Sequence, residues 1–169
     1  MTGEQQDTAK RIAALAREVV ERYTAAGWTI ATAESCTGGL VAGAITDIAG
    51  SSAVLDRGFV TYSNQAKIDM LGVDPAELAA HGAVSETVAR QMSEGARQRA
   101  GVSVAVSITG IAGPGGGSDE KPVGLVHFAC AGPNGTVHRE ERFGDIGRRG
   151  IREASVLVAL EMLAVALKS

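Results

Sequence analysis

The sequence predicts a three-layer α/β/α domain built on a mixed sheet of about five strands. Helical spacings alternate with short β-branched runs through the first two thirds of the chain, and glycine or serine punctuates each change. Near the end, two strand-like runs flank Gly132-Pro133-Asn134-Gly135, which predicts a C-terminal antiparallel hairpin. The chain of 169 residues has no repeat, linker or low-complexity tail, so one domain is expected over residues 1–169. A chain of that length buries roughly two thirds of its unfolded surface and needs no staples.

From Thr8, the apolar residues Ile12, Leu15, Val19, Val20 and Tyr23 recur every three or four positions, and Gly27 follows as a stop. Trp28 to Glu34 is short and largely apolar, which predicts a strand. Leu40 to Ile48 returns to helical spacing before Gly50-Ser51-Ser52 breaks it. A second strand is expected over Leu55 to Tyr62. Ser63-Asn64 then caps a short helix carrying Lys67, and Asp74-Pro75 opens another that ends near Gly82. Ser85 caps a longer helix to about Ala100. Val102 to Thr109 alternates at period two, whereas Gly110 to Gly117 is too glycine-rich for regular structure. Val123 to Ala131 and Val137 to Phe143 are the hairpin strands, and one helix from about Arg148 to Leu167 closes the chain.

Composition narrows the function classes. Net charge is −3, and no Lys/Arg stripe is interleaved with the scarce aromatics, so a nucleic-acid footprint is missing. No apolar run approaches 18 residues and Met1 to Lys10 lacks an apolar signal core, so neither a membrane span nor export is expected. The two cysteines, Cys36 and Cys130, form no metal or redox motif, which fits a reducing cytoplasm. His81, His127 and His138 make no metal signature or triad order, and His127 reads as a satisfied core residue. A small-molecule substrate is expected, and neither a zinc site nor a redox pair is.

The chemistry concentrates at Thr32-Ala33-Glu34-Ser35-Cys36-Thr37-Gly38-Gly39, where an apolar run stops on hydroxyls and a thiol before paired glycines. A serine in a strand-to-helix turn is either a nucleophile or an N-cap. Backbone amides near Gly38 and Gly39 are candidates for holding an oxyanion. Cys36 is the rival nucleophile, but it lacks a cysteine-protease signature and reads as a buried thiol. Lys67, one turn into its helix, leans back toward the strand's end. It is a base if desolvated and a surface residue otherwise. Gly110 to Gly117 is an anion nest or a flexible turn; Gly116 stands where a P-loop lysine would be. Ser118 to Lys121 spells S-x-x-K, but flanking glycines and Pro122 argue against the helix that motif needs. Arg142, Arg148, Arg149 and Arg152 straddle the last helix start as phosphate ligands or as a solvated face.

Four segments together resemble one family. They are Thr32 to Gly39, Gly58-Phe59-Val60-Thr61-Tyr62-Ser63-Asn64-Gln65-Ala66-Lys67, His81-Gly82-Ala83-Val84-Ser85, and Ser107 to Pro114 with Lys121-Pro122-Val123-Gly124. The chain resembles the nicotinamide-nucleotide amidohydrolases of the CinA C-terminal-domain family, in matching order from about Ala31 to Val126. The resemblance implies hydrolysis of the carboxamide of nicotinamide mononucleotide to nicotinic acid mononucleotide and ammonia, in pyridine-nucleotide recycling, with no metal and no cofactor. By the same resemblance Ser35 is the nucleophile, Lys67 the lysine working with it and Tyr62 the tyrosine beside the site. Amides around Thr37, Gly38 and Gly39 would hold the oxyanion, and Thr109, Gly110 and Gly113 would line the nucleotide pocket. Relatives carry Gly-Asp-Arg after the last strand; here Gly144-Asp145 is followed by Ile146-Gly147 before Arg148, which is assigned that place. The chain resembles the stand-alone form, without an N-terminal nucleotide-processing domain. A homo-oligomer acting on a free nucleotide in the cytoplasm is expected. The alternative is a non-catalytic nucleotide-binding or regulatory module of the same fold.

Overall fold

The computed structural model describes residues 3–167. In chain order the elements are α1 (Gly3–Ala26), β1 (Ile30–Glu34), α2 (Leu40–Thr46), β2 (Leu55–Val60), α3 (Asn64–Leu71), α4 (Pro75–His81), α5 (Glu86–Ala100), β3 (Val104–Gly110), β4 (Leu125–Gly132), β5 (Gly135–Arg142) and α6 (Gly147–Ala166). The strands form one sheet in the order β2-β1-β3-β4-β5. β1 runs parallel to β2 and β3, placing Thr32 opposite both Gly58 and Val106. β4 is antiparallel to β3 and to β5. The mixed five-stranded sheet and the terminal hairpin are those expected from the sequence.

Strand alternation sorts side chains into two cores. On one face Ile30, Val106 and Phe128 pack against Val19, Tyr23, Val41, Ile45, Leu160 and Leu163 of α1, α2 and α6. On the other, the small residues Ala31, Ala33 and Ala105 let Leu71, Leu78, Val88 and Met92 of α3, α4 and α5 close down on the sheet. Each fully buried large apolar side chain contributes roughly 1.5–3 kcal/mol. No described helix is long and apolar enough to cross a membrane.

The boundaries shift for identifiable reasons. α1 starts at Gly3 rather than Thr8, because its first turns are solvated and carry no apolar stripe for periodicity to detect. β1 starts at Ile30, since the Trp28 amide still donates to Tyr23 O at 3.0 Å. β2 stops at Val60, although the Thr61 amide reaches Glu34 O at 2.9 Å; the Thr61 carbonyl accepts instead from Lys67 Nζ at 2.8 Å. β4 begins at Leu125 instead of Val123, because the Leu125 amide closes a turn on Pro122 O at 3.1 Å. Gly124 in that turn has φ +91°, and a Cβ there would strike the Gly144 backbone.

Candidate active site

The carboxyl ends of the three parallel strands converge on one rim of the sheet, where open α/β folds place ligands. The Ser35 amide donates to Ile108 O at 3.0 Å, so the serine's backbone stays fixed to β3 while its side chain stands at the end of β1. Ser63 caps α3, accepting from the Ala66 amide at 3.0 Å. That cap sets the first turn of α3, and helical geometry points Lys67 back toward the chain preceding it.

Lys67 is 1% exposed, and its Nζ lies 3.0 Å from Ser35 Oγ, 2.8 Å from Thr61 O and 3.5 Å from Tyr62 O. No carboxylate pairs with it among the described residues. Burial therefore pushes its ammonium down from 10.5 to about 8. The reading of Lys67 as a solvated surface residue is corrected by this burial. Neutral, the amine has two N–H groups for the two carbonyls and one lone pair for the serine hydroxyl. The site thus presents a serine with an adjacent, desolvated base.

Ser35 and Lys67 open on a cavity of about 290 Å³ lined also by Cys36, Tyr62, Thr109, Gly110, Gly113 and Arg148. Gly110 is required there, because a Cβ would lie 2.6 Å from Val126 Cγ2 and 2.9 Å from Leu125 O. The amides of Ala112, Gly113, Gly115, Gly116 and Gly117 have no protein acceptor among the described residues, as an anion nest requires. The Thr109 hydroxyl donates to Ala83 O at 2.8 Å, bracing the His81 to Ser85 segment against β3.

The four arginines near α6 separate cleanly. Arg142 pairs with Glu140 at 2.8 Å and Arg149 with Glu153 at 2.6 Å, both on exposed surface. Arg148 reaches the cavity, donating to Gly113 O at 2.8 Å and Tyr62 Oη at 3.0 Å. Tyr62 is 61% exposed, and its hydroxyl makes no hydrogen bond to Ser35 or Lys67. Arg152 instead binds the serine turn, with Nε 3.1 Å from Cys36 O and Nη2 3.1 Å from Thr37 O.

The expected oxyanion amides need correction at two positions. Glu34, fully buried at the end of β1, accepts from the amides of Gly39 at 3.0 Å, Val41 at 3.1 Å and Ala42 at 2.9 Å. The Gly38 amide donates to Ser35 O at 3.1 Å. Gly38 and Gly39 are therefore occupied, and the amides of Cys36 and Thr37 are the ones in this turn with no main-chain acceptor among the described residues. The Thr37 side chain is fully buried beside the cavity, and its hydroxyl has no partner among the described residues. Sequence reasoning missed Glu34 and Arg152 in these roles. A lone carboxylate at the end of an apolar strand, just before a Gly-Gly helix start, was the available signal for the first.

Elsewhere, Cys36 is buried and its thiol is pushed up to about 11, as expected of an inert thiol. Ser118 and Lys121 lie in a loop, with Lys121 Nζ donating to His81 O. His127 Nδ1 sits 2.9 Å from His138 Nε2, and burial lowers the His127 pKa, so it is a satisfied histidine. No group of three or more His, Cys, Asp or Glu that could hold a metal ion occurs among the described residues. A larger groove of about 590 Å³ between the β4–β5 hairpin and the end of α6 is mainly apolar. Burial pushes its one thiol, Cys130, up to about 12, leaving no ionised nucleophile there.

Residues 12–167 match the model of the CinA C-terminal domain. The chain is 51% identical over 152 residues to a nicotinamide-nucleotide amidohydrolase PncC from Enterobacter agglomerans, covering 90% of this chain and 93% of that protein. It is 56% identical over 152 residues to a CinA-like protein from Anaeromyxobacter dehalogenans, but spans only 36% of that longer relative. A solved structure of the competence/damage inducible protein CihA from Agrobacterium tumefaciens superposes with a TM-score of 0.91 at 59% identity, covering 94% of this chain and 96% of that one.

Proposed function

The chain belongs to the CinA C-terminal domain family, and on that premise we propose that it is a serine amidohydrolase of nicotinamide mononucleotide. The observation that carries the reading is the buried Lys67 amine 3.0 Å from Ser35 Oγ. The 51% identity to a nicotinamide-nucleotide amidohydrolase across most of both chains supports the substrate class.

Neutral Lys67 takes the Ser35 proton as Oγ attacks the carboxamide carbon. The tetrahedral oxyanion sits between the Cys36 and Thr37 amides, preorganised donors in a partly dehydrated site. The Lys67 ammonium then protonates the amide nitrogen; the C–N bond breaks, ammonia leaves, and the acyl group remains esterified to Ser35. Water, deprotonated by Lys67, attacks that ester. Ser35 departs with the proton Lys67 returns, releasing nicotinic acid mononucleotide. Tyr62 and Arg148 stand at the cavity wall, where the ring and ribose phosphate enter, and the free amides of the glycine loop suit the phosphate.

On the same reading the chain acts as a single domain in the cytoplasm, on a free nucleotide rather than nucleic acid; its net charge of −3 supports the last point. Exposed Val60 and Ile146, each two residues from a cavity-lining side chain, support a homo-oligomer, which light scattering tests. Incubating purified protein with nicotinamide mononucleotide and following ammonia is the direct test of catalysis. Turnover by the wild type that Ser35→Ala loses is expected. Binding of the nucleotide without ammonia release would sink the enzyme and favour the non-catalytic module.

A further inference from the structure

The serine turn is held from behind by a side chain that touches neither the cavity nor the dyad. Arg152 projects from α6 and gives Nε to Cys36 O and Nη2 to Thr37 O, both at 3.1 Å. It has no carboxylate partner within 4.0 Å among the described residues, unlike its neighbours Arg149 and Arg142. A guanidinium left to two main-chain carbonyls spends its rigid fork on backbone geometry.

That geometry leads to the two amides without a main-chain acceptor among the described residues. In a trans peptide the C=O and the following N–H point in opposite directions. Fixing Cys36 O toward α6 therefore turns the Thr37 N–H away from α6. Fixing Thr37 O does the same for the Gly38 N–H, which donates to Ser35 O at 3.1 Å. Ser35 O belongs to the peptide whose N–H is that of Cys36, so the second branch ends on the Cys36 amide. Each branch also polarises its peptides, since a cation on a carbonyl strengthens the N–H of the same unit and of units bonded in series. Glu34 anchors the far end of the turn through Gly39, Val41 and Ala42, so the segment is pinned on both sides.

We infer that Arg152 is a positioning residue that orients and polarises the Cys36 and Thr37 amides as the oxyanion site. The inference rests on the amidohydrolase reading for its substrate, but the state of Ser35 can be read without that substrate. A fluorophosphonate probe reports it: Ser35 Oγ attacks phosphorus, fluoride leaves, and the phosphoryl oxygen takes the place of the oxyanion.

The test compares wild type, Arg152→Gln and Arg152→Lys in nucleotide turnover and in fluorophosphonate labelling of Ser35. Removal of one oxyanion donor costs about 100- to 1,000-fold in kcat, so misorienting two that remain present is expected to cost Arg152→Gln about 10- to 100-fold. KM should stay within about threefold, labelling should slow by a similar factor, and the pH midpoint of kcat/KM should not move. Arg152→Lys, which keeps the charge but holds one carbonyl at a time, should recover part of both rates. Unchanged kcat and labelling in both variants would overturn the inference. So would a rise in KM alone, which would make Arg152 a substrate ligand. Should Arg152→Gln fail to fold, Arg152→Lys decides: a wild-type melting temperature with reduced kcat and labelling supports the role, and wild-type rates refute it. Wild-type protein that labels in an Arg152-dependent way but releases no ammonia would sink the nucleotide reading while leaving the positioning role intact.

Discussion

Replacing Lys67 with methionine is expected to abolish turnover and at the same time stabilise the fold. Lys67 is 1% exposed and its pKa falls from 10.5 to about 8, an interval worth about 3 kcal/mol held against the folded state at pH 7. Methionine fills nearly the same volume without charge. It forfeits the contacts to Thr61 O at 2.8 Å and Ser35 Oγ at 3.0 Å, at about 1 kcal/mol each. The net gain is about 1–2 kcal/mol, or about 2–6 °C in Tm for a chain of this size. The pH dependence is the sharper readout. Unfolded chain keeps the lysine proton up to about 10.5, whereas the native protein releases it near 8, so between those values the unfolded state binds more protons. Wild-type stability should therefore climb relative to Lys67→Met as pH rises from 8 toward 10.5, because every other titrating group cancels between the two proteins. Parallel thermal or urea melts at pH 7, 8, 9 and 10 measure the difference. A difference independent of pH across that range would refute the depressed pKa, and with it the argument that burial makes Lys67 a base.

Three further outcomes follow from the same geometry. Because the base must be neutral, log kcat/KM should rise with unit slope below pH 8 and level off above it; a falling limb in that range would assign the titration to another group. Cys36→Ser should retain most ammonia release, in contrast to Ser35→Ala, since the thiol is buried and pushed up to about 11; a loss matching Ser35→Ala would make the thiol the nucleophile. Gly110→Ala should lower stability by about 1–3 kcal/mol through the clash with Val126 Cγ2, and unchanged denaturant midpoints would show that β4 yields there.

The order of elements was legible because each signal is local. Apolar period, glycine stops and serine caps sit within a turn or two of what they specify, as Ser63 and Ser85 show by capping α3 and α5. From the residues alone the dyad was legible only as two candidates, and it was the family resemblance that paired them. Lys67 and Ser35 are 32 residues apart, and the desolvation that makes the lysine a base comes from packing that no window of sequence contains. The same limit explains the oxyanion amides. Glycines next to a nucleophile suggest free N–H groups, but Glu34 claims the Gly39 amide from five residues away and Arg152 shapes the turn from more than 110 residues downstream. Arg148 emerged from the family resemblance, whereas the residues alone left it beside Arg149 and Arg142, and telling them apart needed to know which of these side chains reaches the cavity.

The antiparallel register of β3 and β4 pairs Gly110 with Val126 at one rim and Ala105 with Ala131 at the other. The hairpin tip between Gly132 and Gly135 is thus a full strand length from the serine turn, with the sheet interposed. For anyone wishing to tether, label or split this protein, that tip is the natural handle. A fusion or a surface anchor placed there would present the catalytic rim outward, toward whatever solution carries the substrate.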